Sequence, residues 1–315
     1  MPPSTSNDSP TDSIDSFTTG ESHLTEEDAS INDLSSILPL STKALSALSN
    51  LARYKSPYKD NYPHPEGRAA VLICLFGNRT GTNLNVLLTT RAESLRTFPG
   101  QVALPGGKMD STDINLEATA RREAWEEVGV PIDTTRIRYL TTLPPFLMRN
   151  LSLVTPVVVF ILDYSLKPEL NSAEVSELFS FPLEGFLLSS PRPPVFREPP
   201  IACTQEGRPY HTTEDYNWYD GKPHRFHSFE ADPKPITGVT AEMLIHTAMI
   251  AYGREPEYEL GATGEMSHPE LIERAMKDPR WEQVRREQRE RETKRRKDWE
   301  GTSTAQVSAK GRGKL

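Results

Sequence analysis

The reading turns on residues 104–130, Leu104-Pro105-Gly106-Gly107-Lys108-Met109-Asp110-Ser111-Thr112-Asp113-Ile114-Asn115 followed by LEATARREAWEEVGV, which ends at Val130. The Pro-Gly-Gly segment has turn chemistry. Behind it stand Arg122, Glu123, Glu126 and Glu127 on a predicted helix from about Asn115 to Val128. Side chains at i, i+3 and i+4 of a helix share a face, so the three glutamates crowd together. Like charges so placed repel by roughly 0.2–0.5 kcal/mol per pair even when exposed, and the face needs a counter-charge. Magnesium and similar hard dications prefer carboxylate oxygens, and a face that collects them can hold a diphosphate and activate a water. Taken alone, the same run also fits an ordinary solvated acidic face. Gly129 falls where a helix C-cap glycine belongs, and Arg122 can orient a carboxylate.

Arg122-Glu123-Ala124-Trp125-Glu126-Glu127-Val128-Gly129-Val130 resembles the second half of the Nudix box. The first half departs from it. The spacing from Gly107 to Arg122 is one residue too long, and Ile114 stands where the first glutamate is expected. Gly106-Gly107, Asp110, Asp113, Thr119-Ala120, Arg122-Glu123-Ala124, Glu126-Glu127 and Gly129 fit the box of the branch that cleaves coenzyme A. That branch carries a second signature just upstream. It is met here by Leu87-Leu88-Thr89-Thr90-Arg91-Ala92, Arg96, Gly100 and Leu104-Pro105-Gly106-Gly107. Leu104 replaces a usual phenylalanine, and Phe98 sits where many members place a histidine. The resemblance runs from about Ala69 to Tyr252.

Composition adds bounds. The 315 residues are 36% hydrophobic with a formal net charge of -8, and the deficit of apolar residues lies at the two ends. One core domain with flexible flanks is expected, as a disordered acidic tail over 1–37, a hydrolase domain with an N-terminal helix over 38–262, and a charged helix with a basic tail over 263–315. Two distant cysteines, Cys74 and Cys203, build neither a disulfide framework nor a zinc site. No apolar stretch reaches membrane-helix length, so no membrane insertion is expected. The N-terminus lacks a secretory signal's basic and apolar regions. Gly313-Lys314-Leu315 is a weak version of the peroxisomal address, so an intracellular chain, cytoplasmic or peroxisomal, is expected. Glutamates interleaved with the tail's arginines argue against nucleic acid as a partner.

Along the chain, Leu45, Leu48 and Leu51 predict an amphipathic helix over 41–54, with core packing favoured over a membrane surface. Ala69–Phe76 and Asn85–Thr90 predict a hairpin of strands around Gly77–Gly81, and Cys74 a buried strand position. Arg138–Leu143 and Leu153–Leu162 predict further strands. Asp220-Gly221 predicts a second hairpin, with Arg225–Phe229 as its return strand. Thr240–Tyr252 predicts a helix with Ala241, Leu244, Ile245, Ala248 and Tyr252 on one side. From about His268 no apolar stripe is sustained enough to pack, so an exposed charged helix is expected there.

The resemblance implies an α+β fold, the Nudix αβα sandwich with a mixed sheet. It implies Glu123, Glu126 and Glu127 as ligands of Mg2+ or Mn2+ and, with Arg122, as catalytic residues. Arg122 is expected to hold a glutamate in place. Gly106 and Gly107 are expected to let the backbone turn beside the substrate, and Arg91 and Arg96 to bind its phosphates. Glu174 and Glu177 are candidates for a distal base, each equally readable as the start of a surface helix. Asp110 and Asp113 either cap the turn or replace the missing glutamate. The implied reaction is hydrolysis of the diphosphate of coenzyme A or its derivatives, giving adenosine 3',5'-bisphosphate and 4'-phosphopantetheine. A diphosphatase for another nucleoside diphosphate derivative is the alternative enzyme. A non-catalytic binding module is the alternative outside enzymes, weakened by the intact glutamates.

Overall fold

The computed structural model describes residues 40–57, 67–218, 220–287, 289–290 and 293. The acidic tail expected over 1–37, the basic end of the C-terminal tail and Gly313-Lys314-Leu315 lie outside the described residues.

Ser41 opens helix α1 (Thr42–Arg53), its Oγ accepting from the Ala44 N–H at 3.2 Å. The buried stripe is Ala44, Ala47, Leu48 and Leu51, which settles the packing role for this helix. Strands β1 (Arg68–Gly77) and β2 (Leu84–Arg91) form the expected hairpin, with Leu75 opposite Val86. Two very short strands follow, β3 (Val102–Ala103) and β4 (Gly106–Lys108), then helix α2 (Leu116–Val128). The Asn115 side chain caps α2 by accepting from the Ala118 N–H at 2.8 Å, and Gly129 closes it at φ 68. Strands β5 (Ile137–Thr142), β6 (Phe146–Leu147), β7 (Leu153–Ile161) and β8 (Val175–Pro182) complete an eight-stranded sheet.

The centre of that sheet is the parallel pair β1–β7, with Arg68 opposite Leu153 and Leu75 opposite Phe160. All its other pairings are antiparallel, so the sheet is mixed. Strand alternation sorts β1 and β7 between two layers. Ala70, Leu72, Cys74, Val157 and Val159 bury against Ala120, Ala124 and Val128 of α2. Ile73, Leu75, Val158 and Phe160 bury on the opposite side, in the core that α1 shares with a later helix. Alanines on α2 let helix and sheet approach closely. Burial pushes the Cys74 thiol up to about 12, so it is an inert core residue.

Past a 3-10 turn (Leu183–Leu187) and the short helix α3 (Ile201–Gln205), strands β9 (His211–Asn217), β10 (Pro223–Phe229) and β11 (Ile236–Thr237) make a second, antiparallel sheet. Its hairpin turns at Gly221, φ 78. Helix α4 (Gly238–Tyr252) buries more than the one side expected. Glu242, Met243, Thr247 and Ala251 are covered as well, because the main core lies on one flank and residues of β10 and the following helix on the other.

That following helix, α5 (His268–Met276), corrects the expectation of an exposed charged segment. Leu271, Ile272 and Ala275 share a face, and Trp281 from a helical run over 279–287 joins them against Leu147, Leu151, Leu153 and Trp218. Arg285 is buried, stacked on Trp281 at 4.0 Å and donating to Leu151 O at 2.7 Å. Charge density hid a stripe of only four apolar residues, and one of the charges is itself a core residue. Ile272→Ala is expected to lower unfolding stability by about 2–5 kcal/mol. An unchanged denaturant midpoint for that variant would remove the packing role of α5.

Candidate active site

β1 divides one edge between two partners. Its C-terminal half pairs with β2, while Ala69, Ala70 and Val71 pair with Lys108, Gly107 and Gly106 of β4. This pins the two glycines between β1 and α2. A Cβ at Gly106 would lie 2.4 Å from Ala70 O, and one at Gly107 would lie 2.5 Å from the Glu123 carboxyl carbon. The Gly106 N–H donates to Glu127 Oε2 at 3.1 Å. The glycines are therefore a shelf on which two box carboxylates rest.

Arg122 organises the neighbouring side. Its Nε and one terminal nitrogen donate to the two oxygens of Asp113 at 3.0 and 2.9 Å. Its other terminal nitrogen donates to Glu123 Oε1 at 2.9 Å and Glu126 Oε2 at 3.3 Å, and Lys108 O accepts at 3.0 Å. Such a fork has no reach left for a substrate, so the positioning role expected of Arg122 fits its contacts. Asp113 also accepts from the Asp110 N–H at 2.8 Å and the Thr119 hydroxyl at 2.9 Å. Counting from Gly107 places Asp113, not Ile114, at the box's first acid, and Ile114 is 88% exposed. The extra residue is absorbed in the 110–115 turn, so the irregular spacing leaves the acid–arginine pair intact.

A fourth carboxylate reaches the group. Asn171 N–H donates to Glu127 O at 2.9 Å and Ala92 N–H to Glu174 O at 2.9 Å, tying the 171–174 turn to the end of α2 and the end of β2. Glu174 is thereby held close enough to raise the pKa of both Glu123 and Glu127. The segment is a turn leading into β8, not a helix start, and Glu177 is exposed on that strand. Sequence spacing offered both residues; the fold brings only Glu174 to the box.

Burial is the main cause of the raised Glu123 and Glu127 carboxyls, and Glu127 reaches about 7. The Gly106 N–H and the Arg91 guanidinium pull Glu127 down without offsetting burial. Four carboxylates thus share one side of α2 with too little positive charge. The donors are all hard oxygens with no thiolate or imidazole among them, which suits Mg2+ or Mn2+. Arg91 Nε also donates to Thr97 O at 3.3 Å. Arg96 lies exposed on the 92–100 loop.

The NUDIX domain family model matches residues 66–198. The mouse protein "Peroxisomal coenzyme A diphosphatase NUDT7" is 33% identical over 213 residues, covering 65% of this chain and 80% of that one. This chain belongs to the Nudix family. The Caenorhabditis elegans protein "Peroxisomal coenzyme A diphosphatase ndx-8" is 34% identical over 200 residues, covering 62% and 73%. The Arabidopsis thaliana protein "Nudix hydrolase 15, mitochondrial" is 36% identical over 196 residues, and the chain spans 61% of that relative's length. The α+β sandwich with a mixed sheet is the Nudix fold.

A second cluster lies apart from the box. Glu242 of α4 accepts from His268 Nε2 at 2.8 Å and faces His224 Nε2 at 3.3 Å. The Leu147 N–H donates to His268 Nδ1 at 3.0 Å, so the hydrogen of that ring sits on Nε2 and leaves no lone pair there for a metal. His224 Nδ1 lies 2.8 Å from Glu265 Oε1, off the ideal hydrogen-bond direction. Burial opposes a charged His224, but its two carboxylate partners outweigh burial and raise it to about 9. Burial would raise Glu242 as well, yet the His268 and His224 rings hold it well below the usual carboxylate range. The cluster is an internal ion network tying α4, β10 and α5 together.

Three outcomes test the box. Gly106→Ala should destabilise the fold by about 1–3 kcal/mol through its clash with β1 backbone. Gly107→Ala should fold with a near-normal melting temperature while displacing Glu123 and abolishing divalent-ion binding, read by calorimetry. Glu127 gives a pH signature. Its carboxyl is raised in the fold from 4.5 to about 7. Its contribution is therefore fully present below about pH 4.5 and lost as pH climbs through 7, a loss on the order of 3 kcal/mol. Metal-free wild type should lose stability over that window relative to Glu127→Gln; parallel melting curves would refute the assignment.

Proposed function

We propose that the chain is a divalent-metal-dependent diphosphatase that hydrolyses coenzyme A or its derivatives to adenosine 3',5'-bisphosphate and the phosphopantetheine half. What carries the reading is one continuous segment. The signature residues 87–107 become β2, the 92–100 loop, β3 and β4, and this segment brings Arg91, Gly106 and Gly107 to the carboxylates of α2, with Arg96 exposed on the loop between. The names of the mouse and C. elegans relatives support the same substrate and a peroxisomal setting.

Glu123, Glu126 and Glu127 would hold the cation. When bound, such an ion neutralises the diphosphate and acidifies a water. The remaining work belongs to the chain. Arg122 keeps Glu123 and Glu126 in register through Asp113. Arg91, whose charge already reaches Glu127, pairs with the diphosphate. Glu174, held beside Glu123 and Glu127 by the 171–174 turn, takes the proton of the attacking water at its carboxylate. Arg96, exposed on the 92–100 loop, reads the 3'-phosphate, a group that most nucleoside diphosphate derivatives lack.

The test is Mg2+-dependent turnover with products resolved by chromatography. Wild type should release adenosine 3',5'-bisphosphate from coenzyme A, Glu126→Gln should lose at least a hundredfold in kcat, and Arg96→Ala should lose its preference for coenzyme A over dephospho-coenzyme A. Turnover of another nucleoside diphosphate derivative with coenzyme A left intact would replace the substrate. No turnover of any diphosphate would favour a binding module.

A further inference from the structure

The 92–100 loop joins β2 to β3 and is partly closed on itself. Arg91 N–H donates to Gln101 O at 2.9 Å, Gly100 N–H to Arg91 O at 3.1 Å and Leu95 N–H to Ala92 O at 3.1 Å. The loop is not relaxed, however. Phe98 stands at φ 51 and is 56% exposed. A non-glycine residue in the left-handed region persists where its surroundings over-determine the backbone.

An outside hold comes from Lys234. Its Nζ donates to Gly100 O at 3.1 Å and to Glu93 Oε1 at 3.1 Å. Glu93 is itself folded over Gly100, where an added Cβ would lie 2.3 Å from its Oε1. The three residues make one clamp across the loop's two ends. Lys234 projects from a firmly held turn. Ala231 and Ile236 are buried, the Asp232 carboxylate accepts from the Ile201 N–H at 3.1 Å, and Ile236 pairs with Phe229. Six residues on, Thr240 Oγ1 donates to Val102 O at 3.4 Å, at the loop's exit into β3. All of these anchors lie beyond residue 198, where the family match ends.

We propose that Lys234 is a positioning residue, holding the 92–100 loop in the shape that presents Arg96 to the substrate phosphate remote from the scissile diphosphate. The identity of that phosphate rests on the function proposed above; the clamp does not. A loop ordered in advance need not be ordered by the ligand, so preorganisation acts on affinity. Among the described residues no hydrogen bond or ion pair joins the side-chain carboxylates of α2 or Glu174 to Lys234, Glu93 or Gly100, so bond cleavage itself should not respond to the clamp. An exposed ion pair with no such role would change nothing measurable.

The experiment compares Lys234→Met and Lys234→Arg with wild type in two measurements. Hydrogen exchange of the peptide over 92–101, without substrate, should quicken in Lys234→Met and return towards wild type in Lys234→Arg. Steady-state turnover should show KM for coenzyme A raised about two- to tenfold in Lys234→Met, as expected for a lost hydrogen bond. kcat should stay within about twofold, KM for dephospho-coenzyme A should be unmoved, and arginine should rescue. Unchanged exchange in Lys234→Met overturns the clamp whatever the substrate. Faster exchange with unmoved KM, or a loss confined to kcat, overturns its role in binding. Wild type that leaves coenzyme A intact removes the substrate reading, and exchange alone then decides the clamp.

Discussion

Buried negative charge is what the box has to accommodate, and the Asp113–Arg122 pair is the interaction that makes it possible. Glu123 and Glu127 are driven towards neutrality by burial against the sheet. Arg122 cannot neutralise both, because half of its fork is spent on Asp113. The pair instead fixes geometry. It anchors the 110–115 turn to α2, holds Lys108 O and aligns Glu123 and Glu126 on one side. Glu127 is left to the Gly106 N–H. The site is thus charged but rigid, with its electrostatic deficit aimed at the place a hard cation would fill.

Much of the fold was legible in the sequence because each signal had a local cause. Leu48 and Leu51 with a Ser41 cap marked α1. The apolar runs around Cys74 and Val158 marked strands buried on both faces, and Asp220-Gly221 marked a hairpin. The box and its upstream signature named the carboxylates. What stayed hidden was set at a distance. Strands of two or three residues such as β3, β4 and β6 exist only through their partners. Glu174 could not be separated from Glu177 because the choice depends on backbone bonds from Asn171 and Ala92. Asp110 and Asp113 were both legible as stand-ins for the missing glutamate, and only the Arg122 fork, closed across the turn, picks out Asp113. Around His268, abundant charge concealed the Leu271–Ile272–Ala275 face.

The segment past residue 198 is therefore more than a trailer to the family domain. Its hairpin and α4 cover the main core, its ion network around Glu242 locks α5 in place, and its Lys234 turn touches the loop beside the box. Among the described residues no helix is long and apolar enough to cross a membrane, and α1, the amphipathic candidate, spends its apolar side on α4 and the sheet.

The parallel pairing of β1 with β7 also dictates an order of events during folding. Arg68 meets Leu153, so the central ladder closes only after the hairpin, the glycine shelf, α2 and β5 have left the ribosome. Parallel neighbours need a crossover, and here the crossover contains the whole box. Such non-local closure slows folding, and the length of chain it must gather in is the one that carries the carboxylates of α2.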